Sequence, residues 1–273
     1  MSKILVPTDF SSAAENAFEL ACQVSSVGNQ EIELLHIKGG STEKLLKEKD
    51  KTFDQLEEYL DELCKSAIER HAVKANYRIE EGSILTTIPS VASEPEIELV
   101  VMGTHGTRGL RQKLFGADAL KIAERSPAPV LTVPDVVDVK SGISRIIFPH
   151  GGHENFENKV NAVAMLASHF NADVHFYSVN RPAAEISKSI HKNIDKAEEF
   201  FNQEGISTER VREDMTQFSV GFANQTIKYA ETMGADMIAV MANDSGNLSF
   251  ISSVDRENLI NNEKGISILL VSE

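Results

Sequence analysis

The chain has 273 residues, 41% hydrophobic and 25% charged, which suits two ordinary domains with real cores rather than one small one. The formal net charge is −14, and division at residue 137 leaves 15 basic against 22 acidic residues in the first part and 12 against 19 in the second. An evenly acidic surface repels DNA, RNA and anionic membranes, so none of these is an expected partner.

Met1-Ser2-Lys3 leads directly into the apolar run Ile4 to Thr8, a strand by pattern. No signal peptide is read there, and no apolar run approaches a membrane span, so the expected location is cytoplasmic. Ser11 to Val27 has helical periodicity, with Ala14, Phe18, Ala21 and Cys22 on one face and Ser11 or Ser12 as the cap. Ile32 to Ile37 is a second strand. A long charged helix is expected from about Ser41 to His71, with Leu45, Leu56, Tyr59, Leu60 and Leu63 as its buried stripe. Ala75 to Glu80 alternates like a strand. Ser83 to Ala92 reads as a helix in which Pro89 warns of a break. Ile97 to Met102 is a strand, Gly116 to Arg125 a helix and Pro129 to Val133 a final strand. Five strands alternating with four helices make a parallel, doubly wound sheet. Cys22 and Cys64 are too few for a disulfide framework or a metal cluster and read as small apolar side chains.

The pattern then restarts. Arg145-Ile146-Ile147-Phe148-Pro149 echoes Lys3-Ile4-Leu5-Val6-Pro7. Met237 to Met241 echoes Glu98 to Met102, and Ile266 to Val271 echoes Ala128 to Val133. Near-constant offsets imply one domain twice, over residues 1–137 and 143–273, with Pro134 to Gly142 as linker.

The most specific motif is Gly103-Thr104-His105-Gly106, then nine residues, then Gly116. It follows a buried strand and opens a helix, which is how α/β proteins present backbone N–H groups to phosphate. Arg108, Arg111 and Lys113 form a basic cluster in the loop of an otherwise acidic protein. That asymmetry favours an anionic ligand over a merely solvated turn. Asp9, at the end of the first strand, suits an acceptor role in the crevice; it also suits an N-cap for the helix beginning near Ser11.

This glycine pattern, the opening Pro7-Thr8-Asp9-Phe10-Ser11 and the closing Ser126-Pro127-Ala128-Pro129-Val130-Leu131 resemble the universal stress protein (UspA) family. The whole chain resembles a tandem member with two such domains. The resemblance implies an α/β fold of two doubly wound, Rossmann-like domains with strand order 3-2-1-4-5, paired through their final strands. It implies a stress-response protein that binds an adenine nucleotide, ATP or AMP, and signals by occupancy to a protein partner. Dimerisation of the whole chain is left open. By resemblance, Pro7, Thr8, Asp9, Ile37, Met102, Gly103, His105 and Gly106 would hold adenine and ribose. Arg108, Gly116, Ala117 and Asp118 would border the phosphates. No catalytic residue or resident metal ligand is assigned; a slow ATPase and a nucleotide-independent scaffold are the alternatives.

One departure stands out. Ala117 occupies the place where the family has Ser or Thr, and loss of a hydroxyl donor to phosphate costs about 1.5–3 kcal/mol. Asp118 follows, and would repel a triphosphate unless Mg²⁺ lay between. Either ATP binds with a bridging metal, or the site has drifted towards AMP or adenosine. Asp118→Asn separates the two, because only drift predicts tighter ATP binding in the variant.

In the second half the counterpart of Pro7-Thr8-Asp9 is Pro149-His150-Gly151, and that of the glycine loop is Ala242-Asn243-Asp244-Ser245-Gly246. The acidic residue, the Gly-x-x-Gly and the basic cluster are all gone, so family-type nucleotide binding is not expected there. His150-Gly151-Gly152-His153-Glu154 matches no metal-binding spacing and reads as a loop and helix start.

Overall fold

The structure is a computed structural model describing residues 1–39, 42–104, 115–136, 142–150, 156–180, 188–214, 221–243 and 251–273. The first half runs β1 (Lys3–Pro7), α1 (Ser12–Gly28), β2 (Glu31–Lys38), α2 (Thr42–Glu48), α3 (Leu56–His71), β3 (Ala75–Glu81), α4 (Ile84–Ala92), β4 (Ile97–Thr104), α5 (Phe115–Arg125) and β5 (Val130–Pro134). The second half runs β6 (Arg145–Pro149), α6 (Glu157–Phe170), β7 (Asp173–Asn180), α7 (Lys188–Gln203), β8 (Thr208–Asp214), α8 (Phe222–Thr232), β9 (Met237–Met241), α9 (Ser253–Ile260) and β10 (Ser267–Val271).

All ten strands form one sheet in the order β3-β2-β1-β4-β5-β10-β9-β6-β7-β8. Each half contributes the expected 3-2-1-4-5 order with parallel neighbours. The halves meet through their last strands, β5 and β10, which pair antiparallel with Leu131 opposite Leu269. Thr132 Oγ1 adds a bond to the Ile268 carbonyl at 3.1 Å. This pairing covers the one edge that each half would otherwise expose beside its core.

Strand alternation sends side chains to two apolar layers, and both halves share each layer. Ile4, Val6, Leu99 and Val101 pack with Ile146, Phe148 and Met237 under α1, α3, α6 and α7. Leu5, Val100 and Met102 pack with Ile147, Ile238 and Val240 under the helices of the other face. Cys22 and Cys64 are free and buried, and burial pushes their thiols up to about 12 and about 11, which leaves them unreactive packing residues.

Two local expectations need correction. The helix expected over 41–71 is interrupted. Asp50 turns the chain with φ 56°, and Lys51 N–H closes back on the Leu46 carbonyl. Thr52 then opens a single 3₁₀ turn, Phe53–Gln55, with the Gln55 side chain accepting the Thr52 N–H at 3.0 Å. The break lets Leu46, Leu56 and Leu60 converge on Phe10, which one continuous stripe would not do. The described residues of the first half therefore form five α-helices, not four. Conversely, Pro89 does not break α4. Its ring leaves the Leu85 carbonyl without the usual helical donor, and Arg125 Nη1 from α5 donates to that carbonyl at 3.4 Å.

Candidate functional site

Strand order reverses between β1 and β4, so the first half has its crevice at the carboxyl ends of these strands. Pro7 ends β1 opposite Leu35. Thr8 is buried and bonded on three sides. Its N–H donates to the Leu35 carbonyl at 2.9 Å, its hydroxyl accepts from Phe10 N–H at 3.2 Å, and its carbonyl lies 2.9 Å from His36 Nδ1. Asp9 Oδ1 accepts the Ser11 N–H at 3.0 Å, while the Ser11 hydroxyl caps α1 by accepting from Ala14 N–H. Asp9 thus braces the turn that precedes α1, and the N-cap role expected for it falls to Ser11 instead.

Phe10 adopts φ 65°, a left-handed conformation that costs a non-glycine residue roughly 1–2 kcal/mol. Its ring is 2% exposed, stacks on His36 at 4.7 Å and tilts against Tyr59 at 5.2 Å. Burial of this ring offsets the backbone cost and locks the β1–α1 turn. His36 Nε2 in turn meets Thr42 Oγ1 at 3.2 Å, and burial holds the imidazole below its ordinary pKa. The crevice floor is therefore one rigid chain of contacts from Thr8 through His36 to α2.

Ile37, on β2 opposite Glu80, and Met102, on β4 opposite Thr132, point to the other face of the sheet and pack there. Gly103 follows, opposite Val133. A Cβ on Gly103 would stand 2.4–2.6 Å from the backbone of Ala13 and Ala14. Only a glycine lets the first turn of α1 settle on β4. Gly116 has a different reason: its missing Cβ makes room for the side chain of Asn261, just beyond α9 of the other half. Ala117 is half-buried, and Asp118 pairs with Lys121 at 3.5 Å along the first turn of α5. His105, Gly106, Arg108, Arg111 and Lys113 lie outside the described residues.

The second crevice, between β6 and β9, is built from other chemistry. Ala242 stands where the first half has Gly103 and is fully buried. His150 stands in the place of Thr8; its N–H donates to the Tyr177 carbonyl at 3.0 Å. Phe156 begins α6 and offers no side-chain cap. Lys159 of α6 is 3% exposed, and its ammonium donates to the Pro149 carbonyl at 2.8 Å. Beyond Phe156, a cavity of about 700 Å³ opens between α6 and α7, lined by Asn158, Asn161, Asn193, Lys196 and Phe200. Residues 151–155 and 244–250, including Gly151, Gly152, His153, Glu154 and Asp244, lie outside the described residues. Among the described residues, no three His, Cys, Asp or Glu side chains converge to hold a metal.

Residues 1–134 match the universal stress protein family model. The first half of the chain belongs to that family. The curated relatives agree. The chain is 27% identical over 154 residues to universal stress protein MJ0577 of Methanocaldococcus jannaschii, covering 48% of this chain and 93% of the relative. It is 29% identical over 144 residues to universal stress protein MJ0531 of the same organism, covering 48% and 81%. The crystal structure of a universal stress protein from Archaeoglobus fulgidus superposes over 99% of this chain and 98% of its own, with TM-score 0.73 and 18% identity. That likeness extends the universal stress protein fold to the whole chain.

Several residues of this universal stress protein escaped the sequence reading. Phe10 was seen as part of a motif, but not as the ring that organises the crevice. His36 sits in the apolar run of β2, where a histidine is a visible exception. Lys159 shares the buried stripe of α6 with Val163 and Leu166, at helical spacings of four and seven. A lysine on that stripe was a signal in plain view.

Proposed function

We propose that residues 1–137 form the nucleotide-binding unit of this universal stress protein and that residues 143–273 form a degenerate second unit. The first unit would bind an adenine nucleotide, ATP or AMP, and act by occupancy, read by a protein partner, rather than by turnover. The observation that carries this reading is Gly103. It brings the capped N-terminus of α1 onto β4 at the switch point of a parallel sheet, where its partial positive charge meets an anionic ligand. The rigid turn from Pro7 through Asp9 supplies the matching acceptor side, beside Met102 and Ile37. Family membership supports nucleotide binding in general, and ATP against AMP turns on Ala117 and Asp118.

Calorimetric titration with ATP, AMP and adenosine, each with and without Mg²⁺, tests this. ATP binding that requires Mg²⁺ and vanishes in Gly106→Val establishes the switch and makes Asp118 the neighbour of the metal. Binding of AMP or adenosine alone means the phosphate end has been retuned. Absence of all three sinks the reading and leaves a scaffold for a protein partner.

A further inference from the structure

Lys159 lies on the third residue of α6 and points inward against β6. Its Nζ is 3.8 Å from the Phe148 ring centroid and 5.8 Å from that of Phe156. Phe176 and Phe201 stand behind Phe148, at 5.1 and 6.2 Å. An ammonium carries three donors, and the Pro149 carbonyl takes one. Among the described residues no carboxylate is paired with it. His150 follows that carbonyl in the chain, and its Nδ1 is buried and without a hydrogen-bond partner among the described residues. Phe156 gives the N-terminus of α6 no side-chain cap, and the helix dipole adds partial positive charge at the same end.

Among the described residues, the surrounding charges do not compensate. His191 on α7 and Arg210 on β8 add positive potential at His150, with Arg210 itself paired to Asp195 and Glu198. Glu157, at the start of α6, is exposed and lines the cavity rather than the aromatic box. A buried positive group with open donors and no anion beside it among the described residues is costly, since a buried charge must be paired or lose its proton. Burial pushes Lys159 down to about 7, and burial together with the charges of Lys159, His191 and Arg210 pushes His150 down to about 3, so Lys159 sits where an arriving anion decides its protonation.

We propose that the crevice at the carboxyl end of β6 binds a small oxyanion, such as phosphate or a carboxylate, through Lys159 Nζ and His150 Nδ1. The anion brings the charge that Lys159 lacks, so binding is coupled to uptake of one proton. This site is independent of the nucleotide reading, and neither depends on the other.

The test follows the Lys159 Cε–Hε and His150 ring resonances of the isotope-labelled full chain against pH, in chloride and with inorganic phosphate or formate at matched ionic strength. The expected result is a saturable rise of the Lys159 midpoint by about one pH unit or more, equivalent to roughly tenfold tighter binding to the protonated form. His150 should shift along the same binding curve. A response to phosphate alone assigns a tetrahedral ligand, and to formate alone a planar one; either carries the proposal. Lys159→Met should abolish the saturable His150 shift, and His150→Phe should weaken binding about tenfold while Lys159 still titrates. No saturable shift from either anion in the unmodified chain overturns the proposal, whether or not the variants fold. So does an unchanged His150 response in Lys159→Met.

Discussion

The two crevices share a backbone plan and differ in sign. In the first, a carboxylate, Asp9, stands at the end of β1, a serine caps the following helix and a glycine lets that helix onto the neighbouring strand. In the second, Gly151 replaces Asp9 and follows His150, α6 begins at Phe156 with no side-chain cap from that residue and Ala242 replaces the glycine, with Lys159 buried beneath. The lesson is that a duplicated fold preserves its strand order through core packing, while the ends of the strands are free to change their chemistry. Loss of one motif is then compatible with gain of another kind of site.

The sharpest way to break the comparison is through Phe10, whose counterpart in the second half is Gly152. Phe10→Ala should cost about 3–5 kcal/mol in urea denaturation, because a fully buried ring is lost. Phe10→Gly should be about 1 kcal/mol less damaging than Phe10→Ala, because glycine adopts φ 65° freely. A glycine variant less stable than the alanine one would show that the backbone there is not strained.

Next comes the glycine–alanine pair. Gly103→Val should destabilise by about 3 kcal/mol and abolish the proposed nucleotide binding, since the clash is with backbone that cannot turn aside. The reciprocal change, Ala242→Gly, should cost only about 1 kcal/mol. Equal effects would mean that α6 approaches β9 as closely as α1 approaches β4.

The pH dependence sharpens the contrast of sign. The folded chain holds Lys159 at about 7, below its ordinary 10.5, so between these values the unfolded chain binds more protons. Stability should therefore rise with pH from about 7 to about 10.5, with the burial penalty fully present below 7. In chloride buffer, Lys159→Met should be more stable than the parent by on the order of 2–3 kcal/mol at pH 6 and should flatten that slope. A variant as steep as the parent would mean that another group carries it. The smallest effect concerns Pro89, which α8, the counterpart of α4, lacks. Pro89→Ala restores an N–H for the Leu85 carbonyl and should raise stability by about 1 kcal/mol, measured by thermal unfolding. No gain would mean that Arg125 already satisfies that carbonyl fully.

Much of this was legible in the residues. The strands and their duplication follow from apolar runs at repeated offsets, because parallel strands buried on both faces leave an unmistakable pattern, whereas the strand order and the pairing of the last strands were implied only by the family resemblance. The interrupted helix over 42–71 was not legible. Its break is set by Leu46, Leu56 and Leu60 closing on Phe10, a tertiary demand that local periodicity does not carry. The motif glycines were found for their spacing, yet their physical reasons differ: Gly103 yields to a backbone, and Gly116 to a side chain from the other half. The second crevice was read only for what it had lost. Its aromatic box draws on Phe148, Phe156, Phe176 and Phe201 from four elements and their flanks, and only the fold brings them together.

The β5–β10 seam has a consequence during synthesis. β5 is made as Val-Leu-Thr-Val-Pro, and its partner follows more than a hundred residues later. At cellular elongation rates the first half then waits on the order of ten seconds with an apolar strand edge unfilled. Until β10 arrives, the complement of that edge can come from a neighbouring ribosome on the same message. Crowded polysomes are therefore where this chain would exchange strands between copies, and slow translation of the second half would widen that window.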